Sequence, residues 1–259
     1  MARTIAFSSG KGGVGKTSVS VNCAIQLVKM GYRVALLDAD FGMANSHILL
    51  DQKINQSLWE VINGDVKIKD IILNTNSGVQ LIPGGSGVIE MLNLDSRKRW
   101  EIIKSVKNLE ENLDFLILDT PAGGSDATID FAAACQNVVV VLVGEPTSFM
   151  DAYALVKALY LERQCNKFSI LVNLSNSAAE AQQNFKKFKE ITTKFLDVEL
   201  DFAGWLPVAQ EIRQSVISRK PVALQENLKN RTLSKNLLSI SKFISVLEPC
   251  PTNGISFFS

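Results

Sequence analysis

The stretch "GKGGVGKTS" (residues 10–18) directly follows an apolar run, "TIAFSS" (residues 4–9). It fits the pattern G-x-x-x-x-G-K-[ST], in which a strand leads into a glycine-rich loop and the loop into a helix. Glycines let backbone N–H groups come close to phosphate oxygens, and the helix presents its positive end to the same anion. The pattern predicts a nucleotide-phosphate site. All nine residues of the stretch are candidates for it: Gly10, Lys11, Gly12, Gly13, Val14, Gly15, Lys16, Thr17 and Ser18.

Three polar residues of this loop have different expected roles. Lys16 is placed to bind the β- and γ-phosphates, and the Thr17 hydroxyl is placed to ligate Mg²⁺. Lys11 occupies a position for which the general pattern has no requirement. From the residues alone it is either a second phosphate ligand or a solvated loop lysine.

Short apolar runs alternate along the chain with longer segments of helical period. Strands are expected at 3–8, 33–38, 79–82, 114–119, 137–143, 168–173 and 202–206. Helices are expected at about 15–30, 56–63, 86–111, 127–134, 148–163, 178–195 and 209–218. Strands that are apolar throughout suit a parallel sheet covered on both faces. The expected fold class is therefore α/β, with a doubly wound, mostly parallel sheet and helices on both faces.

The composition fits one large α/β domain. The chain has 259 residues, is 46% hydrophobic and carries a formal net charge of +1. So small a charge gives no global field toward nucleic acid, and we expect no specific nucleic-acid binding. The longest apolar run, "VVVVLV" (138–143), is too short to span a bilayer, and "MAR" leaves no room for a signal peptide. We expect a cytoplasmic protein in which 1–247 form the P-loop domain and 248–259 a C-terminal tail outside the fold.

Carboxylates follow two further apolar strands. "LLDADFGMAN" (36–45) presents Asp38 and Asp40, and "FLILDTPAGG" (115–124) presents Asp119. A carboxylate at the C-terminal end of an apolar strand is a Walker B arrangement, so Asp119 is expected to hold Mg²⁺ through water. For one carboxylate alone, the alternative is a helix N-cap or a solvated loop. Three of them beside a P loop favour a metal and nucleotide site.

With its second lysine, "KGGVGKT" (11–17) resembles the deviant Walker A motif of the MinD/ParA family of P-loop ATPases. In that family two subunits sandwich two ATP molecules. The resemblance implies a homodimer formed on ATP, in which Lys11 reaches the phosphates of the partner subunit as an arginine finger does in other NTPases.

The resemblance also assigns roles to the switch residues. Lys11, Lys16 and Asp40 would be catalytic, with Asp40 positioning the attacking water. Asp38 would support the magnesium shell beside Thr17 and Asp119, and Asn45 would lie beside the phosphate.

Base recognition is implied by two more matches to the family. Asn173 in "ILVNLS" (170–175) corresponds to an asparagine that commonly contacts adenine, and Pro207 in "WLPVAQ" (205–210) matches a loop near the base. Ala209 departs from the family, which has an aspartate there.

Three stretches resemble the FlhG/FleN/YlxH branch, whose members regulate flagellar number and placement: "DADFGMAN" (38–45), "DTPAGGSD" (119–126) and "EPTSFMDAYALVKAL" (145–159). The resemblance covers residues 2–247. It implies as partners the GTPase FlhF, a flagellar transcription activator or flagellar switch proteins. Gly144 replaces the proline usual before Glu145. Many members carry an N-terminal DQAxxLR motif that stimulates FlhF; the sequence contains no such motif, so the resemblance does not imply activation of FlhF by that route.

The segment "TLSKNLLSISKFISVL" (232–247) has an apolar stripe of helical period, formed by Leu233, Leu237, Ile240, Ile244 and Leu247. We expect the last helix of the fold here; the alternative is a peripheral helix at the inner face of the cell membrane. The seven Lys/Arg between Glu211 and Lys242 are interpreted as a solvated helical surface rather than a DNA-binding face.

The sequence thus predicts a Mg²⁺-dependent, slow ATPase switch that dimerises on ATP and regulates flagellar number or placement. One alternative is a MinD- or ParA-type positioning ATPase for the division site or DNA partition. Another is a non-hydrolysing, ATP-dependent anti-activator or binding module; retention of Lys16, Thr17, Asp40 and Asp119 argues against this one. An iron–sulfur carrier is disfavoured because none of the four cysteines forms a CxxC pair.

Overall fold

The structure, a computed structural model, describes residues 2–41, 44–85, 94–225, 230–252, 254 and 256–258. Its strands are β1 (Arg3–Ser9), β2 (Val34–Asp38), β3 (Leu73–Asn74), β4 (Gln80–Ile82), β5 (Phe115–Ala122), β6 (Asn137–Val143), β7 (Lys167–Ser175) and β8 (Glu199–Pro207). Its α-helices are α1 (Lys16–Lys29), α2 (Ser46–Leu49), α3 (Leu58–Ile62), α4 (Ser96–Val106), α5 (Asp126–Ala133), α6 (Pro146–Arg163), α7 (Ala178–Thr193), α8 (Gln210–Ile217) and α9 (Arg231–Ser245).

The strands form one sheet in the order β3-β4-β2-β5-β1-β6-β7-β8, parallel throughout except at the β3–β4 edge. Alternate residues of each strand face opposite layers. Ile5 and Phe7 belong to a core cluster with residues of α1 and α9, whereas Ala6 belongs to a second cluster with residues of α4 to α7. The expected doubly wound α/β class is confirmed. Because parallel strands end at one edge, the ends of β1, β2 and β5 lie together there.

The expected strands and helices are present, with ends shifted by a few residues. The short elements β3 and α2 were not expected, nor were the 3₁₀ turns at Ile68–Ile71 and Val222–Leu224. The helix expected at 86–111 is observed as α4 followed by a 3₁₀ turn at Lys107–Asn112, and 86–93 lie outside the described residues.

Local capping explains where two of the helices begin. Ser57 caps α3, and Glu60 completes a capping box by accepting from the Ser57 backbone N–H. Helix α6 begins with Pro146 at its first position, where the missing N–H costs no hydrogen bond. Glu145 therefore stands at the N-cap of α6, at the end of the sheet that carries the glycine loop.

Helix α9 closes the fold. Its apolar residues Leu233, Leu237, Ile240 and Ile244 are buried, and the helix packs against β8 and α1. The stripe is therefore used within the chain, as expected for a closing helix. Among the described helices, none combines the length and the apolar character needed to cross a bilayer.

The expectation of a tail outside the fold is wrong. We call residues 248–252, 254 and 256–258 the C-terminal segment; its Phe257 and Phe258 are fully buried in the α4–α7 core cluster. The side chain of Asn137 donates to the Glu248 carbonyl at 3.0 Å, and the Phe257 N–H donates to the Ala134 carbonyl at 3.1 Å. Each buried phenylalanine ring contributes about 1.5–3 kcal/mol toward holding this segment, which has no regular secondary structure, against the core.

Candidate functional site

The glycine loop links β1 to α1 and lies under an open cavity. Gly13 and Gly15 have φ angles of 80° and 86°, in the left-handed region that favours glycine. A Cβ added to Gly12 or Gly13 would meet no atom within 4 Å, so an anion can approach the backbone at these positions. The local geometry is that of a phosphate cradle.

The cavity over the loop has a volume of about 530 Å³, within the range of small-molecule sites. It brings together Lys11, Lys16, Thr17, Asp40 and Asn45, as the sequence predicts. Its apolar lining was not predicted: Ile48, Leu49 and Val216 come from α2 and α8.

Lys16 and Asp119 form a buried ion pair. The Lys16 Nζ donates to Asp119 Oδ1 at 2.8 Å, and their side chains are 6% and 1% exposed. The other carboxylate oxygen, Asp119 Oδ2, is buried without a hydrogen-bond partner among the described residues. Mg²⁺ in nucleotide sites is usually held by one or two protein oxygens, phosphate oxygens and water. An unpartnered carboxylate oxygen beside the loop that carries Thr17 fits such an ion.

Asp38 organises the loop that carries Asp40. It lies in register with Asp119 on the neighbouring strand, and its carboxylate accepts from the Ser46 N–H at 2.8 Å and the Asp40 N–H at 3.3 Å. Burial, together with the negative charge of Asp119, raises the pKa of Asp38 to about 7. Asp40 itself lines the cavity. The two carboxylates thus differ: Asp38 shapes the loop and Asp40 faces the site.

The second lysine of the loop is paired within its own chain. The Lys11 Nζ contacts Glu145 Oε2 at 2.6 Å and donates to Thr147 Oγ1 at 3.2 Å, at the start of α6. The Lys11 and Glu145 side chains are 29% and 62% exposed, so the pair is worth at most about 1 kcal/mol. In the sequence, Glu145 stands out only as part of a resemblance, and no local signal indicates its contact with Lys11.

Asn173 lies two residues before the end of β7, and Pro207 ends the neighbouring β8, at the edge where the loop lies. Asn173 is buried, and its Nδ2 donates to the Val14 carbonyl at 2.7 Å, whereas its Oδ1 has no partner among the described residues. A Cβ added to Gly15 would lie 2.5 Å from that same Nδ2. In this structure Asn173 supports the loop from below.

Two glycines bring α6 and α7 close to the site. A Cβ on Gly10 would lie 2.1 Å from the backbone carbon of Asp151, so loop and helix touch backbone to backbone. A Cβ on Gly144 would lie 2.4 Å from Nδ2 of Asn184. The departure at Gly144 is explained by Asn184, which occupies the space that a proline ring would need.

A family model for ParA proteins, described as "NUBPL iron-transfer P-loop NTPase", matches residues 1–244. The chain is 39% identical over 220 residues to the antiactivator FleN of Pseudomonas aeruginosa, covering 85% of this chain and 79% of FleN. It is 28% identical over 260 residues to the flagellum site-determining protein YlxH of Helicobacter pylori, covering 98% and 87% of the two chains.

Solved structures of cell-division proteins share the fold. The MinC:MinD complex of Aquifex aeolicus matches with a TM-score of 0.79 at 22% identity, covering 98% of this chain and 100% of that chain. MinD of Pyrococcus horikoshii complexed with Mg-ADP matches with a TM-score of 0.76 at 23% identity, covering 94% and 96%. The family description names iron transfer. The four cysteines of this sequence include no CxxC pair, which a bridged iron–sulfur cluster would need.

Proposed function

Because the chain belongs to the ParA/MinD family of P-loop ATPases, we propose that it is a Mg²⁺-dependent ATPase switch that dimerises on ATP and regulates the number or placement of flagella. The observation that carries the proposal is the cavity over the glycine loop, which gathers Lys11, Lys16, Thr17, Asp40 and Asn45. Residues 1–247 form the ATPase domain in this proposal.

The residues at the loop fit ATP with Mg²⁺. The Thr17 hydroxyl and the Asp119 carboxylate would hold the ion, with Asp38 supporting them from behind, and bound Mg²⁺ neutralises charge on the phosphates. Lys16 would leave Asp119 to bind the β- and γ-phosphates. Asp40 faces the cavity and would orient the attacking water and accept its proton. Turnover is slow, as suits a switch whose output is a timed state.

Lys11 is the residue proposed to act between subunits. Its pair with Glu145 is exposed and weak. Lys11 can therefore exchange Glu145 for the phosphates of an ATP on a second copy at little cost in free energy. The paired site would hold two ATP molecules between two chains.

Asn45, Asn173 and Pro207 complete the proposed nucleotide contacts. Asn45 lines the cavity and would lie beside the phosphate. The unpartnered Oδ1 of Asn173 can accept from the exocyclic amine of adenine while its Nδ2 still holds Val14. Pro207 ends β8 beside Ser175 and would border the base.

Similarity to FleN and YlxH supports the flagellar role. FleN is described as an antiactivator, which favours a flagellar transcription activator as a partner; FlhF and flagellar switch proteins are further candidates. We propose a cytoplasmic protein with peripheral contact to the inner face of the cell membrane. MinD-like division proteins are also among its relatives, so positioning at the division site is the second candidate.

Sedimentation velocity tests the switch. The chain is compared without nucleotide, with ADP, and with ATP plus Mg²⁺, beside Lys11→Ala and the control Lys53→Ala, an exposed lysine outside the cavity. We expect a dimer only with ATP and Mg²⁺, lost in Lys11→Ala and kept in the control. A species that ignores nucleotide refutes the switch. Asp40→Ala should keep the ATP-bound dimer and abolish phosphate release; loss of ATP binding instead contradicts its assignment.

A further inference from the structure

Three phenylalanines connect the Asp40 loop to the C-terminal segment. Phe41 directly follows Asp40 and is 3% exposed, and its ring meets Phe131 edge to face with centroids 5.4 Å apart. Phe131 in turn stacks on Phe257, with centroids 6.4 Å apart and planes at 23°. Both distances lie within the range of favourable aromatic pairs.

Gly84 lies directly against Phe41. A Cβ added to Gly84 would lie 2.7 Å from Cδ1 of Phe41 and 2.0 Å from the carbonyl oxygen of Asp38. Residue 84, after β4, therefore packs directly on the Asp40 loop. Phe41 thus has close contacts with both Gly84 and Phe131, and in a close-packed interior a shift of Phe131 is passed on to Phe41.

Phe131 has a second aromatic neighbour in the C-terminal segment. It lies on α5, the helix that follows the Asp119 strand, and it is fully buried. Phe257 is held against it because the Phe257 N–H bonds to the Ala134 carbonyl at the end of α5. The C-terminal segment thus packs against the same phenylalanine that contacts Phe41.

We propose that Phe257 is a positioning residue for hydrolysis, acting through Phe131 and Phe41 on Asp40; this inference rests on the proposed ATPase function. A small displacement of a group that orients the nucleophile lowers the rate of the chemical step strongly. The stack does not include Lys16 or the glycine loop, which bind the phosphates. Loss of the Phe257 ring therefore lowers kcat and leaves the KM for ATP almost unchanged.

The test compares Phe257→Ala with Phe258→Ala and Phe257→Leu in the full chain. Phe258 is the matched control, since it is the adjacent residue, is equally buried, and has no described ring pair with Phe131. Phe257→Leu keeps most of the apolar volume and should restore most of the activity. We expect Phe257→Ala to lower kcat about tenfold with KM within about twofold, and Phe258→Ala to lower the melting temperature without that loss of kcat.

Hydrogen exchange gives a readout that does not need hydrolysis. The amides of Asp40 and Ser46 bond to Asp38, so they report the order of the loop. They should exchange faster in Phe257→Ala than in Phe258→Ala. If wild-type protein hydrolyses no ATP, the proposed function fails and exchange alone decides this inference. Equal kcat values and equal hydrogen-exchange rates in Phe257→Ala and Phe258→Ala overturn this inference. If Phe257→Ala does not fold, Phe257→Leu is compared with Phe258→Leu instead.

Discussion

Replacing Asn173 by alanine should weaken nucleotide binding through the loop as well as through the base. The Asn173 Nδ2 lies 2.7 Å from the Val14 carbonyl oxygen, and the side chain is 3% exposed. Leaving a buried carbonyl without its donor costs about 1–3 kcal/mol. If this cost falls on the ordered, anion-binding form of the loop, affinity drops by about 5- to 150-fold. Asn173→Asp should be worse, because a carboxylate oxygen would face that carbonyl.

Calorimetric titration with ATP and with inorganic triphosphate separates the two roles of Asn173. If the side chain supports the loop, inorganic triphosphate loses affinity, and ATP loses at least as much because it also loses the contact to adenine. If it only contacts adenine, ATP weakens and triphosphate does not. The matched control is Asn166→Ala, because Asn166 is an exposed asparagine directly before β7, at the end away from the loop. Unchanged triphosphate binding in Asn173→Ala refutes the reasoning.

Three further predictions test the close packing at Gly10, the buried ion pair of Asp130 and the burial of Cys23. Gly10→Ala should lower the melting temperature strongly, because its Cβ would meet the backbone of α6, whereas Gly12→Ala, which projects into open space, should not. Asp130→Ala should lower the free energy of unfolding, measured in urea, by about 3–5 kcal/mol, because it leaves the buried guanidinium of Arg99 without the carboxylate now 2.6 Å away. A decrease below about 1 kcal/mol would contradict this. Burial raises the pKa of Cys23 to about 12, so its thiolate is scarce at every pH below that value. Mass spectrometry should therefore find Cys23 unmodified by iodoacetamide at pH 8 until the chain unfolds. Rapid labelling of the native protein would contradict its burial.

The sheet and the loop could be predicted because their signals are local. An apolar run followed by spaced glycines specifies a strand, a turn and a helix start within about fifteen residues. By contrast, β3 consists of Leu73 and Asn74 alone, one half-buried and one exposed. Two residues carry no periodicity, so the pairing partner Leu81 decides that this strand forms.

Long-range contacts explain what the sequence could not reveal. Lys11 and Glu145 are 134 positions apart, and nothing in either segment indicates that α6 begins beside the loop. The two phenylalanines of "GISFFS" (254–259) lack helical or strand spacing. Their burial depends on a site built by α5, so the pattern favoured a tail although tertiary packing makes it part of the core.

The two lysines of the loop differ most in how easily they can change partner. Lys16 and Asp119 are almost completely buried, and breaking such a pair by removing one member costs about 3–5 kcal/mol. In the proposed function, Lys16 would therefore move to a triphosphate when a cation takes its place beside Asp119, which would make ATP binding dependent on Mg²⁺. The pair of Lys11 with Glu145 is solvated and worth at most about 1 kcal/mol. Burial would thus keep Lys16 in its own subunit's site, whereas the exposed Lys11 could exchange Glu145 for the phosphates of a second subunit, as we propose.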